Sequence, residues 1–248
     1  MIQAITIDFW NTTVDSRNGA RRRQSRNLAM ETAYRSVGKP FDEHAVAAAF
    51  EHSYQTFEKH WYGEQRTMGA AESLQVIWDY LGLDVSEKTH ADTVRRMEDS
   101  ILEGMPALLP GCSEALEALA AHAPLALISD TALSPGRVLR RVLEAHGVDR
   151  HFSAMIFSDE TGVSKPHPRM FERALDAVGA SPEHAVHIGD IERTDIAGAK
   201  AMGMRAILFR GDESGRYHEE NHPDQTFADA VAHSWSEVCS ILESWGLK

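Results

Sequence analysis

Hydrophobic positions along this chain collect in short runs that end in polar or glycine-containing turns. Five such runs lie at 4–8, 124–129, 152–157, 183–189 and 205–209. Apolar runs of this length, without a regular alternation of apolar and polar residues, are typical of strands buried on both faces of a sheet. We therefore predict five buried strands at these positions.

Around the last four of these strands, the apolar positions change to a helical spacing. Helices are predicted at 113–123, 136–147, 168–180 and 195–203. A glycine closes the last three patterns, which is a common signal for the end of a helix. Strands that alternate with helices predict an α/β fold with a doubly wound parallel sheet and helices on both faces.

The first strand breaks this alternation, because about a hundred residues separate it from the second, far more than an ordinary loop. Helical patterns fill the gap at 21–37, 42–61, 70–82 and 86–104. We predict that residues 1–15 and 105–248 form the α/β core and that residues 16–104 form an inserted helical cap. Ligands bind at the carboxyl ends of the strands in open α/β sheets, so an insertion there is a candidate lid.

Composition narrows the possible partners. Hydrophobic residues make up 43% of the chain and charged residues 25%, and the net charge is −12. Such an acidic chain is not expected to bind nucleic acid or an anionic membrane. Two distant cysteines outside any CxxC pattern, no leader-like start and no membrane-length apolar run predict a cytoplasmic protein. We expect a monomer or a homodimer, and the sequence does not distinguish the two.

Polar side chains follow the predicted strands at the points where they end. In chain order they are Asp8, Ser129 with Asp130, Lys165 in "SDETGVSKPHP", and Asp190 with Asp195 in "GDIERTD". Because the carboxyl ends of parallel strands meet at one edge of a sheet, we expect these groups to lie together. Any one of them alone is more often a cap, a turn residue or a solvated lysine.

Together these groups form a coherent set for phosphoryl transfer. Asp8 can attack phosphorus, and Lys165 can offset the negative charge of both the attacking group and the phosphoryl group. Ser129 can donate a hydrogen bond to a phosphoryl oxygen. Asp8 and Asp190 can hold Mg²⁺, which favours one or two carboxylates together with phosphate oxygens and waters.

Four stretches carry a resemblance to a known family: "IDFWNTTVDS", "LALISDT", "GVSKPHPRMF" and "IGDIERTDIAGAKAMGM". They resemble the motifs of the haloacid dehalogenase superfamily, in the subgroup with a helical cap inserted after the first strand, and span nearly the whole chain. The resemblance implies that Asp8 is the nucleophile, that Ser129 binds the transferred group and that Lys165 stabilises it. It also implies a Mg²⁺ site formed by Asp8, Asp190 and the backbone carbonyl of Trp10, with Asp195 supporting the site from its rim.

Four further residues are candidates for substrate binding. Asn11 and Thr12 belong to the turn after Asp8, and we expect them to hold that turn with backbone N–H groups facing the phosphoryl site. Asp130 follows Ser129 directly. Arg21 begins the "RRR" stretch at 21–23; a solvated helix face is its more common role, and a clamp for a substrate phosphate or carboxylate is its functional one.

Position 10 departs from the family pattern. Phosphatases of this superfamily usually carry a second Asp two residues after the nucleophile, which protonates the leaving group and activates water. Trp10 can do neither, and such acid–base help is worth about 10²–10⁴ in rate. The missing help matters for alkyl phosphates, and much less for acyl or aryl phosphates, whose leaving groups depart without a proton.

Three functions therefore stay open. The first is a Mg²⁺-dependent phosphatase acting on a small phosphorylated metabolite through an aspartyl-phosphate, with another group in place of the missing acid. The second is a metal-free 2-haloacid dehalogenase, because those enzymes carry an aromatic Tyr at the position of Trp10. The third is a weakly active or inactive binding or regulatory protein. Metal-free dehalogenases generally lack a complete "GDIERTD"-type motif, so this motif favours the phosphatase.

Overall fold

The computed structural model describes residues 1–212, 214 and 226–247. The acidic loop at 211–224, which the sequence predicts to be solvated, lies largely outside the described residues. The chain divides into two compact units: Met1–Arg17, Pro106–Asp130 and Leu143–Lys248 form the first, and Asn18–Met105 and Thr131–Val142 form the second. None of the helices described is both long and apolar enough to span a membrane.

A six-stranded sheet forms the centre of the first unit. Its strands are β1 (Ala4–Ile7), β2 (Leu125–Ser129), β3 (Phe152–Phe157), β4 (Ala185–Gly189), β5 (Arg205–Phe209) and β6 (Ala230–Ala232). Their order is β3-β2-β1-β4-β5-β6, and each pairing among these strands is parallel. In the centre, Ile7 of β1 lies opposite Leu127 of β2 and Ile188 of β4. The predicted parallel α/β fold is confirmed.

The helices also follow the predicted pattern. In chain order they are α1 (Gly19–Ser36), α2 (Glu43–Glu58), α3 (Ala70–Leu81), α4 (Glu87–Glu103), α5 (Cys112–Ala120), α6 (Gly136–His146), α7 (Ser158–Thr161), α8 (Pro168–Val178), α9 (Ala197–Ala201) and α10 (Trp235–Ser244). The predicted helix at 195–203 instead starts with a π-helical turn, Glu192–Ile196, that leads into α9. The sequence analysis did not predict α7, α10 or β6.

One detail of the strand prediction is wrong. β3 is not buried on both faces, because Ser153 is exposed and the three residues that follow it are only half-buried. The sheet order explains this difference, since β3 is an edge strand with a neighbouring strand on one side only. By contrast, every residue of β1, β2 and β4 is buried.

The core of the first unit packs the sheet against α8 and α9. It includes Ala4, Ala126, Ile128, Met170, Phe171, Leu175, Ala185, Ile196, Met204 and Leu208. Pro168 starts α8 at a position where its missing N–H removes no helical hydrogen bond. Gly179 ends that helix in the left-handed conformation, with a φ of 66°.

The second unit has its own core, formed by α1 to α4. Its buried residues include Ala29, Met30, Ala33, Val46, Leu74, Ile77, Trp78 and Met97. The segment 131–142 belongs to this unit as well: Leu133 packs on the core, and Ser134 Oγ donates to the carbonyl of Glu98 at 3.1 Å. The unit thus includes residues beyond the predicted 16–104, and the assignment of a cap remains a prediction.

Tight packing around α9 makes Gly198 a sensitive position. A Cβ atom there would lie 2.4 Å from Phe171 and 3.2 Å from the backbone of Pro166. We expect Gly198→Ala to lower the free energy of unfolding by about 1–3 kcal/mol, because the buried Phe171 ring must leave its rotamer. Urea unfolding of the purified protein measures this change.

Gly63→Ala is the matched control, because a Cβ atom at Gly63 meets no atom within 4 Å. It should leave the unfolding midpoint unchanged or slightly raised. Equal stability of the two variants would contradict the packing argument.

Candidate active site

The residues after β1 form a tight loop that returns on itself. Asp8 donates its backbone N–H to the carbonyl of Ile188 in β4 at 2.9 Å, which holds the start of the loop against the sheet. Thr13 Oγ1 donates to the Asp8 carbonyl at 2.7 Å. Asn11 adopts a φ of 54° and donates its N–H to the carbonyl of Val14 at 2.7 Å. This N–H, predicted to face a phosphoryl group, is therefore engaged within the loop.

A buried ammonium group joins the ends of three strands. Lys165 is 2% exposed, and its Nζ donates to Asp8, to Asp195 Oδ1 at 2.6 Å and to the carbonyl of Ile128 at 3.2 Å. Asp8 follows β1, Ile128 belongs to β2 and Asp195 follows β4. The sequence prediction that Asp8, Lys165 and Asp195 lie together is thus seen directly in their contacts.

Burial and charge set the protonation of this cluster. Burial raises the pKa of Asp8 to about 7, against the opposing charge of Lys165. Burial also acts to raise the pKa of Asp195, but the charge of Lys165 and the bond from His187 outweigh it and hold this pKa below its usual value. Burial alone would lower the pKa of Lys165. The charges of Asp195 and Asp8 outweigh this effect of burial and hold the pKa above its usual range. Asp195 and Lys165 thus form the firmly charged pair.

Asp195 is held from several sides by protein donors. Its Oδ2 accepts the N–H of Ile191 at 3.0 Å, and its Oδ1 lies 3.0 Å from His187 Nε2. His187 Nδ1 lies 2.8 Å from Thr6 Oγ1. Burial lowers the pKa of His187, so the ring is neutral, and the carboxylate selects the tautomer in which Nε2–H donates.

Gly189 makes room for this arrangement. A Cβ atom at Gly189 would lie 2.4 Å from the carboxyl carbon of Asp195. Only a glycine at the end of β4 therefore lets the carboxylate reach Lys165 and His187. This steric requirement gives a physical reason for the Gly that precedes Asp190.

Asp190 joins the site through the loop after β1. Its Oδ2 accepts a hydrogen bond from Asn11 Nδ2 at 3.3 Å, and Asn11 Oδ1 in turn accepts from Ser16 Oγ at 2.6 Å. Burial, together with the negative charges of Asp8 and Asp195, raises the pKa of Asp190 well above its usual value. The charged form of Asp190 is therefore unfavourable beside Asp8 and Asp195 unless a cation offsets its charge.

The end of β2 lies beside the same cluster. Ser129 is fully buried, and its Oγ donates to the carbonyl of Asp130 at 3.2 Å. Asp130 Oδ1 accepts the backbone N–H of Lys165 at 2.9 Å, which fixes the loop that carries the lysine. The predicted roles of Ser129 and Asp130 toward a substrate stay predictions.

The remaining candidates differ in their surroundings. Thr12 is buried, and its Oγ1 has no hydrogen-bond partner among the described residues. Arg21 is an exposed residue of α1 in the second unit, and its predicted role as a clamp stays a prediction. Its neighbour Arg22 is buried and donates to the carbonyl of Gly104 at 2.9 Å, so the middle arginine of "RRR" serves the structure of that unit.

Comparison with known proteins places this geometry in a family. A family model described as "Hydrolase: haloacid dehalogenase-like hydrolase" matches residues 2–203. The chain belongs to the haloacid dehalogenase-like hydrolases. The match covers both the loop after β1 and the segment that carries Lys165, Asp190 and Asp195, and it confirms the family that the motifs indicated.

Individual relatives of this hydrolase carry different activities. A glyceraldehyde 3-phosphate phosphatase from Pyrococcus furiosus is 36% identical over 96 residues, which cover 39% of each chain. A 2-haloacid dehalogenase from Pseudomonas syringae superposes with a TM-score of 0.74 at 22% identity, over 99% of this chain and 100% of the other. A magnesium-bound HAD-hydrolase from Bacillus subtilis superposes with a TM-score of 0.64 at 16% identity, over 97% and 98%. The two structural matches show a shared fold.

The curated sequence relatives are matched only in part. Among the first eight, the aligned segments cover between 26% and 56% of the relatives' own lengths. Assignment to the hydrolase family therefore follows from the family model, whereas the reaction and the substrate have to be argued from the site.

The donor set of this hydrolase fits a small divalent cation. Asp8 and Asp190 offer carboxylate oxygens, and in both the pKa is raised by burial and by neighbouring negative charge, which a cation would offset. No group of three or more His, Cys, Asp or Glu side chains in the described part of the chain is arranged to hold a metal. Mg²⁺ needs no such cage, since it binds through one or two carboxylates with waters and substrate phosphate.

Two residues of the site escaped the sequence analysis. His187 could have been noticed, because a polar side chain inside the apolar strand "AVHIG" requires a buried partner. Trp235, from α10, donates its indole N–H to the carbonyl of Thr12 at 3.0 Å and so supports the loop after β1. No local pattern marks this tryptophan, because its partner is a backbone group 223 positions away.

Removing the buried ammonium should destabilise the fold. We expect Lys165→Met to lower the free energy of unfolding by about 3–5 kcal/mol, because Asp8 and Asp195 then remain buried without their partner. Urea unfolding in the presence of a chelator measures this effect.

Asp8→Asn is the matched comparison. The raised pKa of Asp8 means that its charged form already lowers stability near neutral pH, so this variant should be at least as stable as the wild type. A Lys165→Met protein with wild-type stability would contradict the central place given to this ammonium.

Proposed function

We propose that this hydrolase is a Mg²⁺-dependent phosphatase that acts on a small phosphorylated metabolite through an aspartyl-phosphate at Asp8. One observation supports this proposal above the others. Lys165 forms salt bridges with Asp8 and Asp195, whereas burial and the charges of those two carboxylates raise the pKa of Asp190 well above its usual value. A divalent cation held by Asp8 and Asp190 would favour the charged form of both carboxyl groups, whereas in a metal-free site their raised pKa values favour the protonated form.

Each residue of the site has its own task in the proposed reaction. Asp8 attacks phosphorus, the bond from phosphorus to the leaving oxygen breaks, and water then cleaves the aspartyl-phosphate to release phosphate and restore Asp8. Lys165 offsets the charge on the attacking carboxylate and on the phosphoryl group. Ser129 would donate to a phosphoryl oxygen. Mg²⁺, held by Asp8, Asp190 and the backbone carbonyl of Trp10, would supply further positive charge to the phosphoryl oxygens.

The choice of leaving group follows from position 10. Trp10 is half-buried, its ring meets that of Phe9 edge-on with centroids 5.1 Å apart, and it has no ionisable group that could protonate a leaving group. Without a general acid there, leaving groups that depart as weak bases react most readily. We therefore expect acyl or aryl phosphates to be better substrates than alkyl phosphates.

Dehalogenation is the second candidate. An aromatic side chain at position 10 and the fold shared with a 2-haloacid dehalogenase favour it. In that reaction Asp8 would attack carbon, and halide would leave without a proton. Asp190 argues against it, because a metal-free reaction gives this carboxyl group no role. The monomeric or dimeric state and the cytoplasmic location stay predictions.

One assay separates these functions. We expect release of phosphate from p-nitrophenyl phosphate that is lost on chelation and restored by Mg²⁺, and no release of chloride from 2-chloropropionate. Metal-independent chloride release would instead establish the dehalogenase. A folded protein that binds Mg²⁺ but is inactive on both compounds would leave either a narrow substrate range or the binding or regulatory function.

Asp8→Asn serves as the mechanistic check in the same assay. The amide cannot act as the nucleophile, so phosphate release should fall to background. Asp15→Asn is the matched control: Asp15 is also buried, in the same loop, and accepts a hydrogen bond from Ala107 N at 3.1 Å, which an amide oxygen can also accept. Persistent turnover by Asp8→Asn would exclude the aspartyl-phosphate.

A carboxyl group restored at position 10 should widen the range of leaving groups. For Trp10→Asp we expect turnover of an alkyl phosphate to rise about 100-fold relative to p-nitrophenyl phosphate, within the usual range of acid catalysis. Trp10→Asn has nearly the same shape without the acid, and it should keep the wild-type ratio. If both variants change the ratio equally, the missing acid does not set the preference.

A further inference from the structure

Asn11 occupies a backbone position that an ordinary residue would avoid. Its φ of 54° lies in the left-handed region, where Gly is free of strain and Asn is tolerated. The turn itself therefore does not require a side chain at this position. The role of the Asn11 side chain therefore has to be sought in the contacts of its amide.

The amide connects two loops of the site. Nδ2 donates to Asp190 Oδ2 at 3.3 Å, and Oδ1 accepts from Ser16 Oγ at 2.6 Å. The contact with Asp190 fixes which end of the amide is nitrogen, because a reversed amide would set its oxygen against a carboxylate oxygen. Asn11 thus links the loop after β1, which carries Asp8, to the residue after β4.

Asp190 needs such a restraint. The charges of Asp8 and Asp195 repel its carboxylate, and the salt bridges of Lys165 are made to those two residues. The Asn11 amide is neutral, so it can hold one oxygen of Asp190 without neutralising the carboxylate. The other oxygen of Asp190 takes no part in this hydrogen bond.

We propose that Asn11 is a positioning residue that holds the Asp190 carboxylate ready for a divalent cation. The inference rests on the Mg²⁺ site of the proposed function. Groups that orient a metal ligand in this way typically change metal affinity 10- to 100-fold when they are removed. Asn11 would thus act on the cation through Asp190, without touching substrate.

The test uses glycine, which keeps the left-handed backbone and removes only the amide. Calorimetric titration of the metal-free protein with Mg²⁺ should show binding about 10-fold weaker in Asn11→Gly than in the wild type. Melting temperatures in chelator should be equal, which separates positioning from a general loss of structure.

Asn18→Gly is the matched control. Asn18 is also left-handed, with a φ of 63°, and its amide donates to the carbonyl of Met105 in the second unit. This variant should bind Mg²⁺ as the wild type does. Weakened binding in both variants would overturn the proposal, because the effect would then follow from any such substitution.

Two further outcomes are distinct from one another. If the wild type and Asn11→Gly bind Mg²⁺ equally well, the role of Asn11 is overturned and the proposed function stays intact. Wild-type protein that binds no Mg²⁺ overturns the metal site of the proposed function, and the role of Asn11 falls with it.

Discussion

The candidate site depends on one buried ammonium group. Lysine is rarely removed from water unless carboxylates replace the lost hydration, and Lys165 has Asp8 and Asp195 for this purpose. The dependence is mutual, since the two carboxylates come from the ends of different strands and would repel each other without the lysine. Asp195 is fixed further by His187 and by the backbone of Ile191. The edge of the sheet therefore behaves as one electrostatic unit.

The topology of the sheet makes this unit possible. β1 lies between β2 and β4, so the loops that follow these three strands emerge side by side at the carboxyl edge. Lys165 arrives from the segment after α7, and Asp130 at the end of β2 holds its backbone. Steric fit matters as much as charge, because Gly189 leaves the space that the Asp195 carboxylate fills. A parallel sheet and one small residue thus bring together groups that lie far apart in the sequence.

The sequence predicted the parts of this arrangement that follow from local pattern. The apolar runs identify strands, parallel strands share an edge, and the polar residues after them must meet there. It could not predict contacts made by backbone atoms or by distant elements, such as the support of Thr12 by Trp235. β6 escaped because three residues carry no periodicity. The φ of Asn11 was equally hidden, since a turn of several residues can close in more than one way.

The charges of this electrostatic unit give a reason for an aromatic residue at position 10. A carboxyl group at position 10 would handle protons, but it would add a further negative charge two residues after Asp8. An aromatic residue avoids that charge. In the proposed reaction, the leaving group would then have to depart without a proton. Both candidate reactions share this feature, since halide and the oxygen of an aryl or acyl phosphate are all weak bases. What distinguishes them is Asp190: metal-free dehalogenation gives its carboxyl group no role, whereas phosphate hydrolysis with a bound cation would use it as a ligand.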